Sequence, residues 1–154
     1  MFQVKRILYP TDFSPYSNQA YFHAVALAET HKADMVVTYV YKAGQAPTDG
    51  RDSEADRAFW RGQLEQIRPA NSAIPVQHVF LEGEPAAEIA RYAAESGIDL
   101  IVMGTHGRTG RELQLMGSVA EQTLRKAHCS VLVIKLPRAT IKPDVEIRGP
   151  GLKS

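Results

Sequence analysis

A single cysteine, Cys129, stands among 154 residues. It cannot close an internal disulfide, and no multi-cysteine zinc site can be built from it. The five histidines, His23, His31, His78, His106 and His128, are scattered without metal-ligand spacing, so no protein-held metal is expected. No apolar run reaches the ~18–20 residues needed to cross a bilayer. Met1–Arg6 leads into a strand-like segment with no apolar leader or small-residue cleavage site, so the expected compartment is the cytoplasm. Charge of one sign is scarce: 18 Lys and Arg against 17 Asp and Glu leave a net +1. No overall field draws in nucleic acid or an anionic membrane, and neither is expected as a partner. Two nucleotide signatures are also missing. Without Gly-x-x-x-x-Gly-Lys-Ser/Thr the chain is not a P-loop NTPase, and no Gly-x-Gly-x-x-Gly follows the first strand-like run to make a dinucleotide site.

What is present is an alternation of two periods. Strand-like runs fall at about Val4–Tyr9, Met35–Tyr41, Val76–Leu81, Ile98–Met103 and Val131–Lys135. Those around Met35, Ile98 and Val131 are nearly continuous in apolar residues, which suits strands covered on both faces of a parallel sheet. The Val76 run carries Gln77 and His78 and fits an edge. Between the runs, apolar residues recur at helical spacing: Ala20, Ala24, Leu27 and Ala28; Trp60, Leu64 and Ile67; Ala86, Ile89, Ala90 and Ala93; Ala120, Thr123, Leu124 and Ala127. Ser14-Pro15 and Glu84-Pro85 read as helix starts, the second with the weaker cap, and Gly97 as a stop. The order β-α-β-α-β-α-β-α-β predicts an α/β fold, one open five-stranded parallel sheet with helices on both faces; the strand order expected of that sheet is 3-2-1-4-5. A core domain over 1–136 precedes a C-terminal extension, 137–154, available to pack on a second subunit. Residues 42–52 read as a long surface loop, with a lid as the other reading.

The chemistry concentrates where the fourth strand ends, at Gly104-Thr105-His106-Gly107, and where the fourth helix begins, at Gly117-Ser118. Glycine at a strand end lets backbone approach a ligand closely. A helix start adds unpaired N–H groups and the positive end of a dipole. Together these are parts of a phosphate cradle. In the 3-2-1-4-5 order, Pro10-Thr11-Asp12-Phe13-Ser14 after the first strand faces the same crevice.

Gly104-x-x-Gly107, nine residues, then Gly117-Ser118 resembles the Gly-2x-Gly-9x-Gly-Ser/Thr pattern of the nucleotide-binding universal stress proteins. Pro10–Ser14, Gly83–Ile89 and Cys129–Ile134 resemble the same family in register. The resemblance implies a Rossmann-like domain, similar to the adenine nucleotide alpha hydrolases, that binds ATP or another adenine nucleotide and forms a homodimer. Residue by residue it implies that Pro10, Thr11 and Asp12 lie by the adenosine end, and that Val40 offers backbone groups to the adenine edge. Met103 and Gly104 would line the nucleoside, and Gly107, Gly117, Ser118 and Val119 would hold the phosphates. Magnesium or manganese would arrive on the phosphates. Arg108 and Arg111 are at hand for phosphate charge.

Several alternatives stay open at this level. The glycines also suit ligand-free turns, and Asp12 also suits a helix cap or a bond within its own loop. Neither His106 nor Ser118 has an assignable acid–base partner, so no catalytic residue is named. Cys129 reads as an inert core residue. The leading reading is an ATP-binding regulatory stress-response protein that dimerises through the Val131–Lys135 edge. Its rivals are a ligand-free dimerisation module and a slow ATP-hydrolysing enzyme.

Overall fold

In a computed structural model, residues 2–43, 53–106 and 116–135 are described. The elements are β1 (Arg6–Pro10), α1 (Pro15–His31), β2 (Asp34–Tyr41), α2 (Ser53–Glu65), β3 (Val76–Glu82), α3 (Pro85–Glu95), β4 (Leu100–Gly104), α4 (Ser118–Lys126) and β5 (Ser130–Ile134). The strands form one sheet of order β3-β2-β1-β4-β5, with every pairing parallel. The expected architecture is therefore the one found.

The pleat sorts the central strands into two cores. Ile7, Tyr9, Met35, Val37, Leu100 and Val102 face Ala20, Ala24 and Ala28 of α1 and Leu64 of α2. Leu8, Val36, Ile101 and Met103 face Ile89 and Ala93 of α3 and Ala120 of α4. Alanines four apart make α1 thin on its sheet side, so its backbone can approach β1 and β4 closely. Burying a side chain such as Leu64 contributes roughly 2–3 kcal/mol.

The end signals behave as the residue chemistry requires. Ser14 Oγ accepts the Ser17 N–H at 3.2 Å, with Pro15 opening α1. Glu84 precedes α3 but makes no side-chain cap, and Gly97 follows it at φ +64°. Four expectations need correction. Ile67 and Ala127 lie just past their helices, because α2 ends at Glu65 and α4 at Lys126. Leu124 is exposed, since the short α4 seats only Ala120 and Thr123 deeply. The Val131 run is not covered on both faces as β2 and β4 are. Lying at the sheet's edge, β5 has no fully buried residue, and Cys129 sits half-buried before it rather than in the core.

Candidate functional site

Strands β1 and β4 are neighbours, but the chain leaves β1 toward β2 and leaves β4 toward β5. Strand order therefore reverses between them, and the carboxyl ends of both strands border the crevice this creates.

The β1–α1 turn is shaped by its own polar groups. The Thr11 N–H donates to Thr38 C=O at 2.8 Å, carrying the β1–β2 ladder one step beyond Pro10. Thr11 Oγ1 accepts the Phe13 N–H at 3.0 Å, and Asp12 Oδ1 accepts the Ser14 N–H at 2.9 Å. The Ser17 hydroxyl donates to Ser14 C=O at 3.1 Å and lies 3.2 Å from Thr11 Oγ1. Beneath them the Tyr9 hydroxyl donates to Ser17 C=O at 2.6 Å. Thr11, Ser14 and Ser17 are buried. Burial pushes the Tyr9 pKa up to about 12, with the Thr11 and Ser17 hydroxyls partly offsetting it. Asp12 thus does engage its own loop through one oxygen, and the half-buried side chain sits at the lip of β1.

Between these bonds, Phe13 takes φ +64°. A residue with a Cβ in the left-handed region costs about 1 kcal/mol or more. Its ring lies 5.3 Å from both Tyr39 and Trp60, and those two rings are 5.4 Å apart. Nothing in the sequence signals this arrangement, because the partners come from β2 and α2.

Strand β2 runs past the end of β1. Alternate residues of a parallel strand turn their backbone groups to the same side. Thr38 C=O faces β1, so the Val40 backbone faces that side too, one step beyond the last pairing, Pro10 with Thr38. Tyr41 C=O faces the other way and accepts the Gly83 N–H at 2.9 Å.

Across the crevice, β4 ends in Met103 and Gly104, both buried. The Thr105 N–H donates to Ile134 C=O at 3.1 Å, and Thr105 C=O accepts the Gly117 N–H at 2.6 Å. The second bond ties the start of α4 to the end of β4. Gly117 is the N-cap residue and provides no side-chain cap. The first-turn N–H groups of Ser118, Val119 and Ala120 therefore carry the positive end of the helix dipole at this edge without a capping side chain. At φ −71° and ψ 161°, Gly117 has backbone angles open to any residue. The glycine there is not demanded by conformation. His106 Nδ1 lies 3.1 Å from Thr105 Oγ1, and its ring is 5.2 Å from that of Tyr16.

The expected site residues Pro10, Thr11, Asp12, Val40, Met103, Gly104, Gly117, Ser118 and Val119 thus share the carboxyl edge of the sheet. Pro10, Thr11, Met103 and Gly104 are buried, whereas Ser118 is exposed. Gly107, Arg108 and Arg111 lie outside the described residues, as do most of the 42–52 loop and residues 136–154. Among the described residues no group of three or more His, Cys, Asp or Glu could hold a metal ion. None of the described helices is long and apolar enough to cross a membrane.

Residues 3–135 match the model of the universal stress protein family. The chain belongs to that family. It is 37% identical over 142 residues to universal stress protein MJ0531 of Methanocaldococcus jannaschii, an alignment spanning 87% of this chain and 84% of the relative. Among solved structures, MJ0577 of the same organism superposes with a TM-score of 0.78 at 28% identity, covering 88% of this chain and 99% of that one. A universal stress protein solved in complex with cAMP shares the fold, with a TM-score of 0.65 at 21% identity over 85% of this chain and 97% of its own.

Proposed function

We propose that this member of the family is an adenine-nucleotide-binding regulatory protein of the cytoplasmic stress response, with ATP as the nucleotide. One observation carries the reading: an uncapped helix start, held at the switch-point edge by the Gly117 N–H bond to Thr105, opposite the outward-facing Val40 backbone. The first-turn N–H groups suit phosphate oxygens, and the Val40 N–H and C=O suit the donor–acceptor edge of adenine. Asp12 suits a ribose hydroxyl. Gly107 and Arg108, from the motif, would complete the phosphate end. That a relative of the same fold holds cAMP supports an adenine nucleotide as the ligand class. Magnesium or manganese would ride on the phosphates. The regulatory role rests on binding that biases a surface read by partners. No catalytic residue is assigned.

The test is equilibrium binding of ATP, ADP, AMP and cyclic AMP to the wild type and to Gly117→Val. A branched side chain at the cradle should cut affinity for the phosphate-rich ligands most. Undiminished ATP binding in the variant would rule the cradle out.

A second reading, a ligand-free dimerisation module, draws support from Gly104. A Cβ there would collide with α1, so that glycine is explained without any ligand. Acid extraction of the purified protein separates the two readings. Release of an adenine nucleotide favours the first; no release, with no thermal shift on adding ATP and magnesium, favours the second. Either reading places a homodimer contact on the Val131–Lys135 edge, where Val131, Val133 and Ile134 are only half-buried in the single chain. Sedimentation as a dimer that Leu132→Lys shifts toward monomer is the expected result.

A further inference from the structure

We infer that Trp60 is a positioning residue, which fixes the Asp12 carboxylate for the adenosine end of the nucleotide by holding the Phe13 ring against Tyr39. The inference rests on the nucleotide reading and adds a residue that the binding motif does not contain.

Phe13 lies in the left-handed region, which a residue with a Cβ occupies only when its surroundings over-determine it. Two kinds of restraint do so here. Locally, Thr11 Oγ1 holds the Phe13 N–H, and Asp12 Oδ1 holds the Ser14 N–H on the other side. At a distance, the Phe13 ring stacks on Trp60 at 27° and meets Tyr39 at 43°. Trp60 is itself braced. Phe59 packs edge-on against it at 5.1 Å. The same helix is clamped to β2 and β3: Arg57 pairs with Glu82 and lies 5.0 Å from the Tyr41 ring centre, and Arg61 lies 4.6 Å from that of Phe80. Without the Trp60 wall, Phe13 is free to relax to negative φ. The Asp12–Phe13 peptide then rotates, and the carboxylate leaves the lip of β1. Trp60 belongs to α2 and to none of the segments assigned to the ligand, so its effect passes through Phe13.

The experiment is calorimetric titration of ATP, ADP and AMP into wild type, Trp60→Ala, Trp60→Phe, Asp12→Ala, the Asp12→Ala/Trp60→Ala double variant and Leu64→Ala. Trp60→Ala is expected to weaken all three nucleotides alike, by about tenfold, because they share the adenosine end. Trp60→Phe should restore binding to within about threefold of wild type, since it keeps a stacking ring. The double variant should bind no worse than Asp12→Ala alone. Leu64→Ala, which softens the same helix, should lower stability and leave affinity unchanged. Should Trp60→Ala not fold, Phe13→Leu takes its place: it keeps the Cβ and removes the stack. Wild-type affinity in Trp60→Ala, full additivity with Asp12→Ala, or an equal loss in Leu64→Ala would each overturn the inference while leaving the nucleotide reading intact. A wild-type protein that binds none of the three nucleotides overturns both.

Discussion

A Cβ placed on Gly104 lies 2.7 Å from both the carbonyl carbon and the carbonyl oxygen of Tyr16. The first glycine of the motif is therefore where β4 meets the backbone of α1's second residue. That contact is backbone on backbone, so no side-chain rotation relieves it. Gly104→Ala must push the first turn of α1 outward, and with it the Thr11–Ser14 turn. We expect the substitution to cost about 1–3 kcal/mol of stability. Urea denaturation without nucleotide measures it. An unchanged midpoint would show that α1 does not pack this tightly on β4.

Gly117 should behave in the opposite sense. Its backbone angles suit any residue, and it leaves α4 uncapped. Gly117→Asp supplies an N-cap oxygen and a negative charge at the positive end of the helix. The nucleotide-free protein should gain a few tenths of a kcal/mol to about 1 kcal/mol. The same carboxylate would occupy and repel the phosphate, so ATP affinity should fall more than tenfold while adenosine binding changes little. Thermal denaturation and calorimetry read the two effects separately. A variant that is more stable and binds ATP as before would place the phosphates elsewhere.

These two glycines illustrate what the sequence discloses. Period and punctuation disclose the elements. Ser14-Pro15 marked a helix start, Gly97 a stop, and Gln77 with His78 an edge strand, because each signal acts within a few residues of itself. Asp12 and Gly104 could be placed at one edge because topology puts strand ends there, Gly117 because it opens a helix, and Val40 only through the family resemblance. The reason for each glycine could not be read. Gly104 is small because Tyr16, far away in the chain, lies against it, whereas Gly117 has no conformational need to be small. The Phe13–Tyr39–Trp60 stack was equally hidden, since its rings come from three elements and its key feature is a backbone angle. Leu124 misled because a helix of two and a half turns seats fewer residues than its apolar pattern offers.

Lys32 ends α1 at φ +52°, donating its N–H to Ala28 C=O, while the next N–H, of Ala33, reaches the same carbonyl at 2.9 Å. The left-handed helix end is a position that glycine fills without a Cβ penalty. The lysine side chain is exposed and forfeits no core packing. Lys32→Gly should therefore stabilise the protein by about 0.5–1 kcal/mol, net of the greater freedom glycine brings to the unfolded chain. A rise in the thermal midpoint checks this. A fall would mean that the lysine chain or its charge at the helix end outweighs the backbone strain.

Tyr9 makes stability fall at high pH. Burial raises its pKa from 10.0 to about 12, so the folded protein holds a proton that the unfolded chain releases between those values. Its contribution is complete below pH 10 and is lost as pH climbs toward 12. Over that window the loss amounts to about 2–3 kcal/mol. The Tyr21 and Cys129 groups are also raised by burial and act in the same direction, so the measurement must be a difference. Tyr9→Phe has no proton to release. At neutral pH it should be about 1 kcal/mol less stable, since Ser17 C=O loses its donor. The gap between variant and wild type should then close and reverse as pH rises through 10–12. Parallel stability curves across that range would mean that Tyr9 ionises as readily folded as unfolded, and that the hydroxyl network under Asp12 is open to water.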